Sequence, residues 1–419
     1  MNKSVHRIIT LFATLLLICG CSLREINKQI QVLENPGIIK GKIALASSLD
    51  GAIVVRRYSL EKGVYVYQSF ERPAANGEYS FYVIPGTYYI AAFLDSNSDA
   101  AYQSTEAGDY YGSDSGEPTA IHVEAGQTVT AGTITITGKL PAISGNIQSS
   151  ERLDPVKDNI GRIVSLDDAM FDRSNYSTGM WKPVQFLTRV GGGLFFLQEY
   201  QTGKIPVLFI HGINGGPTDW EAAIRNLDSR HFQPWVLYYP TGVRLDMISD
   251  YLVTAIVDLH HTYDFEQLYV VSHSMGGLVA RSFVHKYLDR FPEDKELISF
   301  MMTVNSPMTG MNSAVSGVEN SPIVVSAWRD VATDSTFLQD LNTWEWPDEI
   351  PYHLVFSYDT DGSSDGVVHL QSQIPLKLQA EAVRMYGFNN THAGILQDAA
   401  FLERFNTILA DSLAIPEKQ

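Results

Sequence analysis

Cysteine is almost absent from this chain, because among 419 residues it occurs only at positions 19 and 21. Both lie close to the amino terminus, so the remainder has no disulfide and no cysteine-ligated metal. Basic residues are also scarce: 30 lysines and arginines stand against 47 aspartates and glutamates, which gives a formal net charge of −17. This excess argues against nucleic acid as a partner and against electrostatic adhesion to anionic lipid.

A long apolar run is missing as well. Lys3 and Arg7 are followed by an apolar stretch from Ile8 to Ile18, which is shorter than the roughly 20 residues that a membrane span needs. A charged start, a short apolar middle and a small residue at the exit are typical of a secretory signal peptide, here residues 1–20. The hydrophobic content of 45% and the length nevertheless allow two domains with substantial cores.

The four residues "ICGC" at 18–21 resemble the lipobox of bacterial lipoproteins. This resemblance implies that Cys21 becomes the lipid-bearing first residue of the mature protein, and Ser22 after it implies sorting to the outer membrane of a Gram-negative cell envelope. Residues 21–36 would then be a polar tether, and the lipid would be the protein's contact with the membrane. The alternative is an ordinary signal peptide with incidental cysteines.

From residue 37 to residue 140, short alternating runs such as "YSFYVI" are broken by glycine and proline about every ten residues. Period-two alternation with such breaks predicts a small antiparallel β-sandwich. The module resembles the transthyretin-like modules that accompany exported enzymes and surface proteins.

One segment of this module, "DSNSDAAYQSTE", carries acidic and amide side chains at the spacing of a calcium loop: Asp95, Asn97, Asp99 and Glu106. Ala100 stands where the sharp turn of such a loop needs glycine, and no flanking helices are evident. A solvated acidic loop is therefore favoured over a calcium site.

Residues 141–199 are expected to form a linker and early strands, and the remainder, residues 200–415, alternates strand-like and helix-like patterns. Buried-strand candidates such as "PVLFI" and "LYVVS" are separated by amphipathic stretches such as "GGLVARSFVHKYLDRF". This alternation predicts an α/β unit with a doubly wound, mainly parallel sheet.

Within "VVSHSMGGLVAR" (270–281) a β-branched run stops at Ser272 and a helical pattern begins after Ser274. A serine hydroxyl needs a base, an orienting group and oxyanion donors to act as a nucleophile. "SHSMG" resembles the G-x-S-x-G nucleophile elbow of the α/β-hydrolases, with Gly276 at the second glycine and Ser272 in place of the first. We expect the small Ser272 to be tolerated.

The rest of the resemblance follows along residues 200–415. "PVLFIHGINGG" is similar to the lipase and esterase loop that completes the oxyanion hole, which implies backbone N–H donors at Ile213 and Met275 and a structural role for His211. Because the family's order is nucleophile, acid, histidine, Ser274 would be followed by an acid and then by His392.

The acid is expected after a late strand, where "YDTDGSSDGVV" offers Asp359, Asp361 and Asp365. Asp365 fits the Asp-Gly-hydrophobic-Val segment of family lipases best, and Asp361 is the second choice.

Between two of the strands, residues 306–341 are longer than a simple connection, and family lipases place a cap there. Val324, Val325, Ala327 and Trp328 are candidates for an apolar acyl pocket or lid; Trp328 could equally pack the cap onto the core.

The leading hypothesis is a serine hydrolase that cleaves carboxylic esters without a cofactor or metal, with an acyl ester as its substrate. Acyl transfer to another acceptor would use the same residues. A surface-binding lipoprotein with a catalytically silent hydrolase domain is a third interpretation, which an intact triad disfavours.

Overall fold

The computed structural model describes residues 36–49, 51–83, 85–96, 102–141, 146–148, 159–359 and 362–413. The expected signal peptide, Cys21 and almost all of the tether lie outside these residues. So do Asn97, Asp99 and Asp361. Within the described part of the chain, no helix is long and apolar enough to cross a membrane.

The amino-terminal unit is built from β-strands. They are β1 Gly37–Leu45, β2 Ile53–Glu61, β3 Val64–Glu71, β4 Glu78–Val83, β5 Gly86–Leu94, β6 Gly108–Tyr110, β7 Ile121–Val123, β8 Thr128–Thr130, β9 Ile134–Ile136 and β10 Asn146–Gln148. The structure divides them into two sheets, with β1 central in one and β2 beside β5 in the other. Both sheets contribute to one apolar cluster, which includes Ile39, Phe81 and Ile90. This unit is therefore all-β, as the alternation of its sequence predicts. Its sheets are not purely antiparallel as expected, because β1 pairs in parallel with β8 and β9, and β10 with β3; these pairs join strands that are distant in sequence and not neighbours in a hairpin.

The second unit contains a single large sheet. Its strands are β11 Arg162–Ile163, β12 Gly193–Phe196, β13 Ile205–Ile210, β14 Phe232–Tyr238, β15 Leu268–His273, β16 Ile298–Val304, β17 Tyr352–Tyr358 and β18 Arg384–Asn389. The eight described strands lie in the order β11-β12-β14-β13-β15-β16-β17-β18. The pair β12/β14 is antiparallel, and the other neighbours are parallel.

Helices cover both faces of this sheet. They are α1 Tyr176–Trp181, α2 Pro183–Gln185, α3 Glu221–Asn226, α4 Leu245–Tyr263, α5 Gly276–Arg290, α6 Asn312–Asn320, α7 Ser326–Val331, α8 Thr336–Thr343, α9 Leu370–Gln373, α10 Leu376–Glu381 and α11 Ala399–Leu413. The expected doubly wound, mainly parallel α/β-hydrolase fold is confirmed. A parallel strand that is buried on both faces needs apolar side chains throughout, which explains why β13 and β15 are nearly continuous apolar runs.

Alternation along β13 separates the two cores. Leu208 and Ile210 point into the cluster formed with α4 and α5, whereas Val207 and Phe209 point into the cluster formed with α3 and α11. Successive side chains of a strand face opposite sides of the sheet. The strand thus belongs to both cores, and its carboxyl end is held firmly where the next loop begins.

The segment 306–341, expected to form a cap, folds into α6, α7 and α8 and packs partly into the core. Val325 and Ala327 are completely buried, so they do not line an open acyl pocket. The ring of Trp328 meets that of Trp181 edge-on at 5.8 Å, as expected for packing. Asp330 accepts hydrogen bonds from the Arg244 side chain at 2.8 Å and from the Leu245 N–H at 2.7 Å, which ties the segment to the start of α4.

Polar contacts join the all-β unit to α4. Arg72 follows β3 and donates to Asp258 of α4 at 3.0 Å and to Asp95 of its own unit at 3.1 Å. Thr254 donates its hydroxyl to Glu71 at 2.9 Å. The Arg72 side chain is only 7% exposed, and breaking such a buried ion pair leaves a charge without compensation. The two units are therefore coupled along the side of α4.

Candidate active site

Ser274 lies on the corner between β15 and α5. Its backbone adopts φ 54°, a left-handed conformation that costs a non-glycine residue energy and that concentrates at functional sites. The N–H of Ser274 donates to the Val304 carbonyl of the neighbouring strand at 2.8 Å, which fixes the corner. Ser274 thus lies at the carboxyl end of β15 and is only 5% exposed.

Close approach of the backbone explains the glycines around this corner. A Cβ at Gly276 would lie 2.5 Å from the His211 carbonyl oxygen, and a Cβ at Gly212 would lie 2.7 Å from the Cβ of Ser274. Neither distance is compatible with a side chain unless the backbone moves. Gly212 and Gly276 thus allow the loop after β13 and the start of α5 to meet at the nucleophile.

Ser272 occupies the position of the first glycine in the family's motif. It is completely buried, and its hydroxyl donates to the Met302 carbonyl of β16 at 3.1 Å. A buried hydroxyl is tolerated when it has a hydrogen-bond partner. The small side chain therefore fits between the strands, and its polar atom is satisfied.

The structure brings Ser274, His392 and Asp365 into one hydrogen-bonded chain. The Nε2 of His392 is 2.9 Å from the Ser274 hydroxyl oxygen, and its Nδ1 is 2.6 Å from Asp365 Oδ2. Because a carboxylate only accepts, Nδ1 carries the proton and Nε2 is free to accept from the serine hydroxyl. This is the arrangement in which a histidine can take the proton of a serine nucleophile.

Asp365 is fixed by its own loop. One carboxylate oxygen accepts from the Val367 N–H at 2.9 Å and from the Val368 N–H at 2.7 Å, and the other oxygen bonds His392. Its main-chain carbonyl also accepts from the His392 N–H at 2.8 Å. Among the other acidic candidates, Asp361 lies outside the described residues, and the Asp359 N–H bonds the Ser364 carbonyl in the same loop.

The expected oxyanion donors, the main-chain N–H groups of Ile213 and Met275, lie in the two segments that meet at Ser274. Met275 directly precedes α5, and Ile213 follows the close contact of Gly212 with Ser274. Within the described residues, neither main-chain N–H donates to another group. Unoccupied N–H donors beside a nucleophile are what an oxyanion hole requires.

His211 is enclosed in the loop after β13. Its ring stacks on Tyr239 at 4.3 Å, and the Tyr239 hydroxyl donates to the His211 carbonyl at 2.7 Å. Burial lowers the pKa of His211 to about 4, so the ring is neutral at pH 7. These contacts hold the loop after β13, and the histidine that accepts a hydrogen bond from the Ser274 hydroxyl is His392.

Sequence reasoning missed two side chains that contact the His392 main chain. The Nε2 of His273 is 2.8 Å from the His392 carbonyl oxygen, and Asn305 Nδ2 is 3.0 Å from the same oxygen. His273 stands beside the nucleophile, and Asn305 follows β16. The sequence signal for them is their position at the carboxyl ends of adjacent predicted strands, where functional side chains of parallel sheets lie.

The calcium-loop candidate is only partly described. Asp95 is engaged by Arg72 at 3.1 Å, and Glu106 accepts from the Ser96 N–H and the Gln103 N–H, both at 2.8 Å. In the described portion of the chain, no group of three or more histidine, cysteine or acidic residues is arranged to hold a metal ion. These contacts give Asp95 and Glu106 roles in holding the loop.

A family model described as "Alpha/beta hydrolase of unknown function (DUF915)" matches residues 243–386. This stretch includes Ser274 and Asp365, ends before His392 and covers less than half of the 419 residues. It agrees with the fold. The chain has the α/β-hydrolase fold.

Solved structures give low-identity matches to about half of the chain. A Bacillus licheniformis lipase, BlEst2 in mature form, is 16% identical with a TM-score of 0.40, covering 50% of this chain and 94% of its own. Est1E from Butyrivibrio proteoclasticus is 14% identical with a TM-score of 0.37, covering 53% and 93%. No curated protein sequence matches the chain. At these values no substrate carries over from those proteins to this one.

Proposed function

We propose that the protein is a serine hydrolase that cleaves carboxylic esters through an acyl-enzyme intermediate. One observation carries the proposal: the hydrogen-bonded chain from Ser274 through His392 to Asp365, with distances of 2.9 and 2.6 Å. It stands at the carboxyl edge of a parallel sheet, where ligands bind in open α/β folds.

In the first half of the reaction, the Ser274 oxygen attacks the carbonyl carbon of the ester while His392 Nε2 takes the hydroxyl proton. Asp365 keeps Nδ1 protonated and stabilises the imidazolium that forms. The negative charge that develops on the carbonyl oxygen is met by the N–H groups of Ile213 and Met275. His392 then returns its proton to the leaving alcohol, and the acyl group stays on the serine.

In the second half, water replaces the alcohol. His392 takes a proton from the water as it attacks the acyl carbon, and the oxyanion donors act a second time. Collapse of this intermediate breaks the bond to Ser274, and His392 returns the proton to the serine oxygen. The products are a carboxylic acid and the free enzyme.

Two exposed apolar side chains favour an apolar acyl group. Ile213 is 37% exposed beside the close contact of Gly212 with Ser274, and Val367 is 52% exposed next to the Asp365 loop. Ligand sites are lined predominantly by apolar side chains, which pack against the apolar part of the ligand. The proposed substrate is thus an ester with a hydrocarbon acyl chain.

We further propose that the protein is anchored in the cell envelope through lipid on Cys21, in the outer membrane of a Gram-negative cell. The lipobox-like "ICGC" and the following Ser22 support this proposal. Because the protein is negatively charged, it is not attracted to anionic lipid, and the acyl groups on Cys21 would provide its attachment to the membrane.

The test of the catalytic proposal is reaction with a fluorophosphonate probe, followed by assay of p-nitrophenyl esters of graded acyl length. Wild type is expected to be labelled and Ser274→Ala to remain unlabelled. Longer acyl chains are expected to give higher kcat/KM than acetate. Absence of labelling in wild type would favour a binding role and overturn the proposal.

A further inference from the structure

The loop that carries His392 is attached to the sheet by its main-chain carbonyl. The His392 oxygen lies 2.8 Å from His273 Nε2 and 3.0 Å from Asn305 Nδ2. On its other side, the His392 N–H donates to the Asp365 carbonyl at 2.8 Å. The main chain of this residue is therefore held on both sides, independently of the ring's own contacts.

The hydrogen-bond direction fixes the state of His273. A carbonyl oxygen only accepts, so Nε2 must carry the proton. His273 is 6% exposed, and burial, followed by the nearby His392, lowers its pKa to about 3. The titratable groups that face it are His392, Asp365 and His211. A neutral ring here matters because its centroid is only 4.8 Å from that of His392, where a second positive charge would oppose the imidazolium of catalysis.

Asn305 is held in a conformation suited to its contact. It adopts φ 52°, which asparagine tolerates better than most residues, and its N–H donates to the Val355 carbonyl at 3.0 Å. Its Oδ1 is buried and has no hydrogen-bond partner among the described residues. An unsatisfied buried acceptor is costly. Asn305 therefore destabilises the fold through Oδ1 while its Nδ2 donates to the His392 carbonyl.

We propose that His273 and Asn305 are positioning residues, which jointly hold the His392 main chain so that Nε2 stays within reach of the Ser274 hydroxyl during proton transfer. This inference rests on the proposed hydrolase function. When one of the two side chains is removed, the other still donates a hydrogen bond to the His392 carbonyl. When both are removed, this carbonyl has neither donor. The two contributions are therefore coupled.

The kinetic test uses the full chain with four variants: His273→Leu, His273→Gln, Asn305→Gly and the double variant His273→Leu/Asn305→Gly. Leucine removes the donor, glutamine supplies another N–H donor, and glycine tolerates the positive φ of residue 305 without a donor.

Each single donor loss is expected to lower kcat about five- to tenfold, the effect of one hydrogen bond, with KM little changed. His273→Gln is expected to recover most of the loss. The double variant is expected to lose more than the product of the two single losses, that is, more than about a hundred-fold, because a freed carbonyl lets the reacting ring shift, and displacement of a reacting group by about 1 Å by itself costs about a hundred-fold.

A matched control separates positioning from stability. His353 is another histidine whose pKa burial lowers to about 4, and it stacks on Phe300 away from the triad. His353→Leu is expected to lower the melting temperature without changing kcat. If His273→Leu also leaves kcat unchanged, or if the double variant shows only the product of the single losses, the joint positioning role is overturned.

A spectroscopic measurement tests the same contacts without turnover. Nitrogen-15 NMR of the histidine rings, assigned by comparison with His273→Gln, is expected to show His273 as the neutral Nε2–H tautomer down to pH 4. An Nδ1–H tautomer, or titration near 6.5, would overturn the assignment even for an enzyme that hydrolyses esters. Wild type that resists fluorophosphonate would instead refute the hydrolase proposal, and the NMR result would still decide whether His273 holds the carbonyl.

Discussion

The Ser274 hydroxyl and the Nε2 of His392 lie 2.9 Å apart although 118 positions separate the two residues in the chain. The first stands at φ 54° on the corner after β15, and the second stands in the loop after β18. Because both strands are parallel members of one sheet, their carboxyl ends reach the same edge. The distance is thus set by the sheet and by the loops that it fixes.

Replacement of Ser274 with alanine should abolish ester hydrolysis, with a loss on the order of a million-fold in kcat, as in other serine triads. Ser274→Gly should be equally inactive but more stable than Ser274→Ala by about 1 kcal/mol, because glycine adopts positive φ without strain. The measurements are ester turnover and urea unfolding of both variants. Normal turnover in Ser274→Ala with an unchanged melting curve would remove Ser274 from the mechanism.

Asp365→Asn should lower kcat about ten-thousand-fold, because the amide can hydrogen-bond the wrong tautomer of His392. Asp361→Asn is the control, since Asp361 is the second candidate for the acid in the same loop. Steady-state kinetics of both variants decide the assignment. A larger loss at Asp361 would transfer the role of the acid to that residue.

Ser272→Gly should change activity only modestly, because it removes one buried hydrogen bond to the Met302 carbonyl, 3.1 Å away, and leaves the corner open. Ser272→Val should lose about a hundred-fold, because a branched side chain would displace Ser274 by about 1 Å. Activity is compared at matched stability. If the valine variant is as active as wild type, the corner is not as tight as the structure indicates.

Acid should destabilise the fold through its buried histidines. Burial lowers the pKa of His211 to about 4, below its ordinary value of 6.5, so the unfolded chain binds a proton that the folded chain does not. The corresponding stability is present above pH 6.5 and is lost as the pH falls toward 4. The melting temperature of wild type is expected to fall between pH 6.5 and 5 more steeply than that of His211→Gln. Parallel curves for the two proteins would contradict a neutral buried His211.

Cys21→Ser should block lipidation and move the protein from the membrane fraction to a soluble or unprocessed form. The measurement is fractionation of cells that express each form, together with metabolic labelling by a palmitate analogue. Ser22→Asp is the companion variant, because it leaves the acylated cysteine in place and changes only the sorting position. If Cys21→Ser is distributed between the membrane and soluble fractions as wild type is, another segment attaches the protein to the membrane.

The sequence by itself was sufficient for the architecture. Apolar runs such as residues 268–271 predict buried parallel strands, because a strand that faces cores on both sides of a sheet needs apolar side chains. The elbow at Ser274 follows from a strand pattern that passes directly into a helix pattern, with a small residue on each side. The order of Ser274, Asp365 and His392 could be proposed because each stands in a loop after a recognisable strand.

The contacts that complete the site were decided by the tertiary structure. No spacing in the sequence relates His273 or Asn305 to the His392 carbonyl. Their hydrogen bonds to this carbonyl depend on the register between β15 and β16 and on the path of the loop after β18, which is more than 80 residues away in the chain. The burial of Val325 and Ala327, expected to line a pocket, depends in the same way on how α7 packs. Local patterns specify which face of an element is apolar, whereas long-range packing determines which polar atoms meet, because hydrogen bonds form only when two distant backbones are brought within about 3 Å.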